Sequence, residues 1–173
     1  MAADEIFEIV DEQNNIIGTA LRRQCHGNPS LRHRAAHVVV FDRQGRILLQ
    51  KRSALKDVQP GKWDSAVGGH LMPGEDFEEA ARREMAEELG IPPAQSLRHL
   101  FDMRISNMIE SENVITFATV YEGPFVVKED EIDEIRFWTE AELRAGMSEA
   151  TFTPNCILEI ERVFEGRHQQ IKL

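Results

Sequence analysis

The chain has 173 residues, a formal net charge of -10 and a pI of about 5.1, with 42% hydrophobic and 29% charged residues. That length suits one domain with a single sizeable core, expected over residues 1–173, and the acidity argues against gripping nucleic acid by its backbone or lying on an anionic membrane. No apolar run approaches membrane-spanning length, Met1–Glu5 is acidic with no signal-peptide core, and Cys25 and Cys156 make no paired framework, so a cytoplasmic protein is expected.

In chain order, Ile6–Val10 and Ile16–Ala20 flank Asp11–Asn15, where asparagine tolerates left-handed geometry, and this predicts an N-terminal β-hairpin over residues 5–20. The hairpin also offers an edge for a homodimer. Arg22–Arg34 is polar and reads as a loop. Ala35–Phe41 and Ile47–Lys51 read as strands around the Asp42–Gly45 turn, and the run Val38–Phe41 predicts a strand covered on both faces. Asp57–Asp64 reads as a loop leading to Ser65–Val67. Asp76–Leu89 has helix-forming composition and is stopped by Gly90 and Pro92-Pro93. Leu97–Ile105 and Asn113–Tyr121 read as strands joined by a polar turn. The acidic run Glu129–Glu134 interrupts the apolar pattern, which resumes over Ile135–Trp138. Thr139 and Glu142 form a capping box, and Thr153-Pro154 opens a last helix with an Ile157, Ile160, Val163, Phe164 stripe ending before Gly166. The sum is an α/β chain with a mixed sheet between helices.

The helix over Asp76–Leu89 carries the chemistry. Glu84, Glu87 and Glu88 sit at i, i+3 and i+4, so three carboxylates share one face. Like charges at that spacing each cost a few tenths of a kcal/mol, roughly, and more where water is excluded. A divalent cation removes the cost. Gly68-Gly69 and Pro73-Gly74 give a tight backbone path before the helix, Glu75-Asp76 put negative charge at its N-terminus, and Arg83 lies four residues before Glu87, spaced to hold that carboxylate.

At these residues the sequence resembles the Nudix hydrolase family. Its pattern, G-x5-E-x7-R-E-u-x-E-E-x-G-u with u apolar, is met from Gly69 through Glu75 and Arg83-Glu84 to Glu87-Glu88, Gly90 and Ile91, a box spanning 69–91. The resemblance implies an α/β/α sandwich, hydrolysis of a diphosphate joined to another group, and a Mg²⁺ or Mn²⁺ cofactor. It assigns Glu84, Glu87 and Glu88 to the metal and the Gly69 carbonyl as a further ligand. Arg83 would orient the carboxylates and Glu75 would support the loop.

The upstream half is similar to the isopentenyl diphosphate isomerase branch of that superfamily, through Cys25-His26, His33-Arg34, Gln50-Lys-Arg52 with Lys56, Pro60-Gly61-Lys-Trp63 and Val67-Gly-Gly-His70. By that resemblance His26, His33 and His70 help hold a second metal, and Arg52 and Lys56 meet the diphosphate. The isomerase chemistry does not carry over: Gly68 stands where that branch has its cysteine, and the tryptophan of its C-terminal motif is replaced in Ala150–Pro154. Its Glu-x-Glu-Val motif aligns with Ser111–Val114, which takes two carboxylates out of the histidine site and leaves Asn113 in place of a fourth ligand.

The expected function is therefore a metal-dependent hydrolase cleaving the diphosphate linkage of a nucleoside diphosphate derivative or related small organic diphosphate. The alternatives are an isomerase of the isopentenyl diphosphate type and a non-catalytic diphosphate sensor. Glu84 and Glu88, one turn apart, would hold one metal, while Glu87 either bridges to a second or takes a proton from the attacking water. Glu131, Glu134 and Glu112 are alternative bases, with a solvated loop charge as the plainer reading. Arg34 and Arg52 are candidate phosphate contacts because planar guanidinium matches two phosphate oxygens, and His70 could meet a phosphate or the leaving group. Cys25 reads as a structural loop cysteine, and Trp63 and Trp138 as core.

Overall fold

The computed structural model describes residues 5–56 and 58–168, so the acidic Met1–Asp4 and Asp57, where a loop was expected to begin, lie outside the described residues. Strands β1 (Ile6–Val10) and β2 (Ile16–Leu21) pair antiparallel as the predicted hairpin, with Asn14 at φ 65 in its turn. A short helical turn, α1 (Arg22–Cys25), occupies the start of the expected loop. Then follow β3 (His33–Phe41), β4 (Ile47–Arg52), β5 (Trp63–Ser65), β6 (Val67–His70) and the helix α2 (Phe77–Leu89). The chain continues through β7 (Arg98–Ser106), β8 (Ser111–Val120), β9 (Ile132–Trp138), α3 (Glu140–Gly146) and α4 (Pro154–His168).

These strands make a mixed sheet in which β3 runs parallel to β8 while the other pairs are antiparallel. β3 and β4 meet at the end of their hairpin, where Phe41 pairs with Ile47, and then take different neighbours. β5 pairs with β4, β6 pairs with β3, and Ala66 is the step between them, so Trp63–His70 crosses the gap between two diverging half-sheets. That gap becomes the site.

Alternation along β3 sends successive residues to opposite faces. Ala36, Val38 and Val40 pack with Met85 and Leu89 of α2; Val39 and Phe41 pack with Ile160, Val163 and Phe164 of α4 and with Trp63 and Trp138. A strand covered on both faces and an α/β/α sandwich follow. α2 is bounded by a capping box between Asp76 and Glu79 and by Gly90, left-handed at φ 65, whose N–H and that of Ile91 close the last turn on Ala86 and Met85.

Several expected boundaries move. β3 begins at His33 rather than Ala35, and β9 begins at Ile132, inside the acidic run, because Ile132 is buried and pairs with Arg52 while the acidic side chains beside it stay on the open face. α4 runs on through Gly166 to His168. No helix among the described residues is long and apolar enough to cross a membrane.

Leucines on opposite sides of this burial divide should differ. Leu89→Ala, fully buried under the sheet, should cost about 3 kcal/mol in urea unfolding. Leu158→Ala, 45% exposed on α4, should stay within about 0.5 kcal/mol. Similar losses at both positions would contradict the layer assignment.

Candidate active site

α2 carries its carboxylates to the gap between the half-sheets. Glu88 is buried on the helix's inner face, Glu84 is nearly so, and Glu87 is half exposed. Gly69 of β6 faces them: a Cβ there would fall on the carboxylate of Glu84 and lie 2.5 Å from its Cγ. Glycine is thus required by the close approach of α2 to β6, and the space its missing side chain leaves is filled by the Glu84 carboxylate. Burial, reinforced by the neighbouring Glu84 charge, pushes the Glu88 carboxyl up to about 8, although the Gly68 N–H donates to it at 3.3 Å. Burial also raises Glu84, against the pull of Arg83.

Arg83 reaches both Glu84 and Glu87 and adds a partner that the helical spacing does not show. Its main partner is Glu75, bound through Nε at 2.8 Å and Nη2 at 2.9 Å, while Nη1 donates to Glu84 at 2.6 Å and Nη2 also to the His70 carbonyl at 3.0 Å. Glu87 is only at 3.5 Å. The guanidinium holds the Glu75 carboxyl below the ordinary range. Arg83 therefore ties the loop before α2 to Glu84, because the loop brings Glu75 into a bidentate position that helical spacing alone does not reveal.

The histidines form a second cluster. His33 lies on β3 directly in register with Glu112 on β8, and His70 of β6 comes from the same face. Glu112 Oε1 is 3.3 Å from His33 Nε2 and 3.0 Å from His70 Nε2, and the three residues bring ligand atoms within 4.8 Å of one another, a group able to hold a metal ion. His33 Nδ1 is 3.0 Å from the Leu31 carbonyl, which can only accept. Nδ1 therefore carries a proton, and the buried Nε2 faces Glu112; burial disfavours charge on the ring, but Glu112 and the Leu31 carbonyl outweigh it and raise His33 above its ordinary value. Burial works against charge on Glu112, but His33 and His70 outweigh it and hold its carboxyl below the usual carboxylate range. His26 lies beside His70, with ring centroids 6.1 Å apart. Phe7 of the N-terminal hairpin stacks on His33 at 4.9 Å and lies tilted against His70 at 4.4 Å, so the hairpin forms one wall of the cluster.

The expected alignment of Ser111–Val114 was displaced. Asn113 points to the other face, where its amide donates to Asp11 and Asn14, and Glu112 is the carboxylate that joins the histidines. Glu110 lines the same cavity. The spacing Glu110-Ser-Glu112, read as one face of an extended segment, would have pointed to it.

Glu84, Glu87 and Glu88 line one cavity of about 660 Å³ with His26, His70 and Glu112, and with Gly69, Arg52, Lys56 and Glu131, while His33 is buried behind its wall. Arg52 donates to Asp64 at 3.1 Å and to the Val58 carbonyl, and Lys56 pairs with Glu131 at 2.8 Å. Glu131 also pairs with Lys128. Arg34 does not line the cavity: its guanidinium pairs with Glu8 of the hairpin and lies over the Phe77 ring. The expected phosphate contact at Arg34 is thus placed against the hairpin, because alternation on β3 turns it to the face opposite His33. Glu134 pairs in register with Lys51 on the sheet and is likewise outside the cavity. Cys25 is buried in the hairpin cluster with Phe7 and Ile9, and burial raises its thiol. Among the described residues lining the cavity, eight carboxylates stand against five Lys and Arg, an excess that repels an anion unless cations are bound.

The model of the NUDIX domain family matches residues 31–156. A Yersinia pestis protein described as an uncharacterized Nudix hydrolase is 40% identical over 159 residues, covering 90% of this chain and 84% of that protein. The isopentenyl-diphosphate Delta-isomerase of Streptomyces avermitilis is 38% identical over 143 residues, covering 80% of this chain and 73% of that enzyme. The crystal structure of DR0079 from Deinococcus radiodurans superposes with a TM-score of 0.78 at 25% identity, covering 91% of this chain and 98% of the other.

The raised carboxyl of Glu88 has a measurable consequence in metal-free protein. Between the unfolded value of 4.5 and about 8 the folded state binds a proton that the unfolded state does not, so this group's contribution to stability falls as pH rises through that window. Glu88→Gln should therefore stabilise EDTA-treated protein at pH 8.5 by on the order of 3 kcal/mol relative to its effect at pH 4.5. Thermal unfolding at the two pH values, with an unchanged difference, would show that Glu88 is not desolvated.

Proposed function

The chain belongs to the Nudix hydrolase family, and from that premise we propose that it hydrolyses the diphosphate linkage of a nucleoside diphosphate derivative or related small organic diphosphate, using Mg²⁺ or Mn²⁺. The observation that carries this reading is the convergence of Glu84, Glu87, Glu88 and Gly69 in a cavity whose carboxylates outnumber its cations. Glu84, Glu87 and Glu88 offer hard oxygen donors, which suit Mg²⁺ or Mn²⁺, and the fit of Glu84 into the space over Gly69 sets its carboxylate in one place. A divalent cation there supplies charge neutralisation for the phosphoryl oxygens.

The chain's own groups do the rest. Arg83, tied to Glu75, holds Glu84 in position so that little reorganisation accompanies the reaction. Arg52 and Lys56, which pair with Asp64 and Glu131, exchange those carboxylates for phosphate oxygens. Glu87, the half-exposed member, is the carboxylate best placed by solvent access to accept a proton from the attacking water, and Glu131 is the alternative within the cavity. His33, His70 and Glu112, with His26 beside them, hold a second metal. Its mixed nitrogen and oxygen donors suit Mn²⁺ or Zn²⁺ better than Mg²⁺.

The isomerase reading is favoured by the histidine and Glu112 cluster and by the Streptomyces relative. Against it stands Gly68, which has no side chain to move a proton at the position of the isomerase cysteine.

Glu84→Gln should lower kcat for diphosphate hydrolysis at least 100-fold, with the thermal midpoint unchanged within a few degrees. Phosphate release from a panel of nucleoside diphosphates, nucleotide sugars and isopentenyl diphosphate measures this, and comparable turnover by the variant would sink the mechanism. Glu112→Gln should lose bound metal while the glutamate site keeps it. Metal analysis after dialysis against Mn²⁺ reads out the difference, and equal content in both proteins would remove the second site.

A further inference from the structure

One buried pair in the cavity wall takes no part in either cluster. His37 lies on β3 in register with Gly68 of β6 and Thr116 of β8. Its Nδ1 is 3.1 Å from Oε1 of Glu159, a residue of α4 that is 3% exposed. The other oxygen of Glu159 accepts from the Ser65 hydroxyl on β5, and Thr116 Oγ1 is 3.5 Å from the first. Three strands and a helix thus fix one carboxylate behind one imidazole. A carboxylate accepts, so Nδ1 carries the proton. Burial disfavours the charged ring, yet Glu159 outweighs it and pushes His37 up to about 9, which leaves Nε2 protonated as well near neutral pH.

Nε2 comes forward at Gly68. A Cβ built on that glycine would lie 3.2 Å from both Nε2 and Cδ2, so the ring edge occupies the space beside a position with no side chain. His37 lines the cavity there, and Gln50, Ser65 and Asn155 line it too. A cationic donor in a largely buried wall is costly to cover with hydrocarbon, because nothing in such a group replaces the hydrogen bond to water.

We propose that the cavity wall at Gly68 is a polar subsite, in which His37 Nε2–H, aimed by Glu159, donates a hydrogen bond to the organic group attached to the diphosphate. The enzyme then selects diphosphates whose organic group carries an accepting oxygen or nitrogen over those carrying a hydrocarbon chain. This rests on the reading of the cavity as a diphosphate site. His37 is the specificity-determining contact and Glu159 its positioning residue. A site built around a donor rejects a ligand without an acceptor because the donor is left unpaired.

The test uses non-hydrolysable ligands sharing one head group: methylenediphosphonate itself, its adenosyl and glucosyl esters, and its isopentenyl ester. Calorimetric titration of the Mg²⁺-loaded protein should show at least one polar ester binding tenfold or more tighter than the isopentenyl ester. His37→Leu should weaken that polar ester at least tenfold and leave the bare head group and the isopentenyl ester within twofold. His37→Gln, which keeps a donor, should retain most of the preference and serves if the leucine variant does not fold. Glu159→Gln should reduce the preference, and the His37 ring nitrogen shifts in ¹⁵N NMR should move with the polar ester but not with the bare head group. Tightest binding by the isopentenyl ester, or equal weakening of all ligands in His37→Leu, overturns the subsite. Failure of the bare head group to bind would overturn the diphosphate reading, and the subsite with it.

Discussion

The structure depends on carboxylates held in a confined space with too few cations of the protein's own. Burial of Glu88 beneath the sheet, of Glu84 against Gly69 and of Glu112 between two histidines each opposes hydration of a negative charge. Such groups persist in folded proteins when they are paired, protonated or bound to metal. Two of these devices, pairing and protonation, are visible here. Arg83 pairs with Glu75 and Glu84, Glu88 is shifted toward its protonated form, and Glu112 draws on two imidazoles. The buried carboxylates thus rely on protons and internal ion pairs.

The fold makes that concentration of charge tolerable by placing it where the sheet opens. β3 and β4 part after their hairpin, and the Trp63–His70 segment bridges them by changing partners at Ala66. The apolar layers continue on both sides of this opening, Met85 and Leu89 below and Ile160 and Val163 above, so the polar groups sit between two well-packed cores. The N-terminal hairpin closes a third side through Phe7 and occupies Arg34 through Glu8. It is a structural part of the site, which explains why an arginine expected at phosphate is instead anchoring a wall.

Resemblance to both hydrolases and isomerases finds a physical expression in this arrangement. Glu84, Glu87 and Glu88 of α2 line one cavity together with His70 and Glu112, so the glutamate face and the histidine cluster meet in one place. The two readings part at Gly68, where a missing side chain leaves the ring edge of His37 at the wall, backed by Glu159 from α4. A side chain at that position would press on the His37 ring, since a Cβ there lies 3.2 Å from it, and the Gly68 N–H also serves Glu88.

Local rules made much of the fold readable in the sequence. The hairpins at Asn14 and Gly45 needed left-handed turn residues, the capping box at Thr139 and the negative charge of Glu75-Asp76 marked helix starts, and Gly90 marked a stop. The three glutamates of α2 were likewise legible, because helical spacing alone brings i, i+3 and i+4 together. What only the tertiary structure decided involves strands far apart in the chain. The register of β3 against β8 sets Glu112 beside His33 and turns Asn113 away, a difference of one residue that reverses the face. The pairing of Arg83 with Glu75 depends on the path of a loop, and that of His37 with Glu159 spans 122 residues. Sequence by itself determines contacts whose geometry is set by neighbouring backbone; contacts between remote strands and helices follow from how the half-sheets diverge, which is a property of the packed core as a whole.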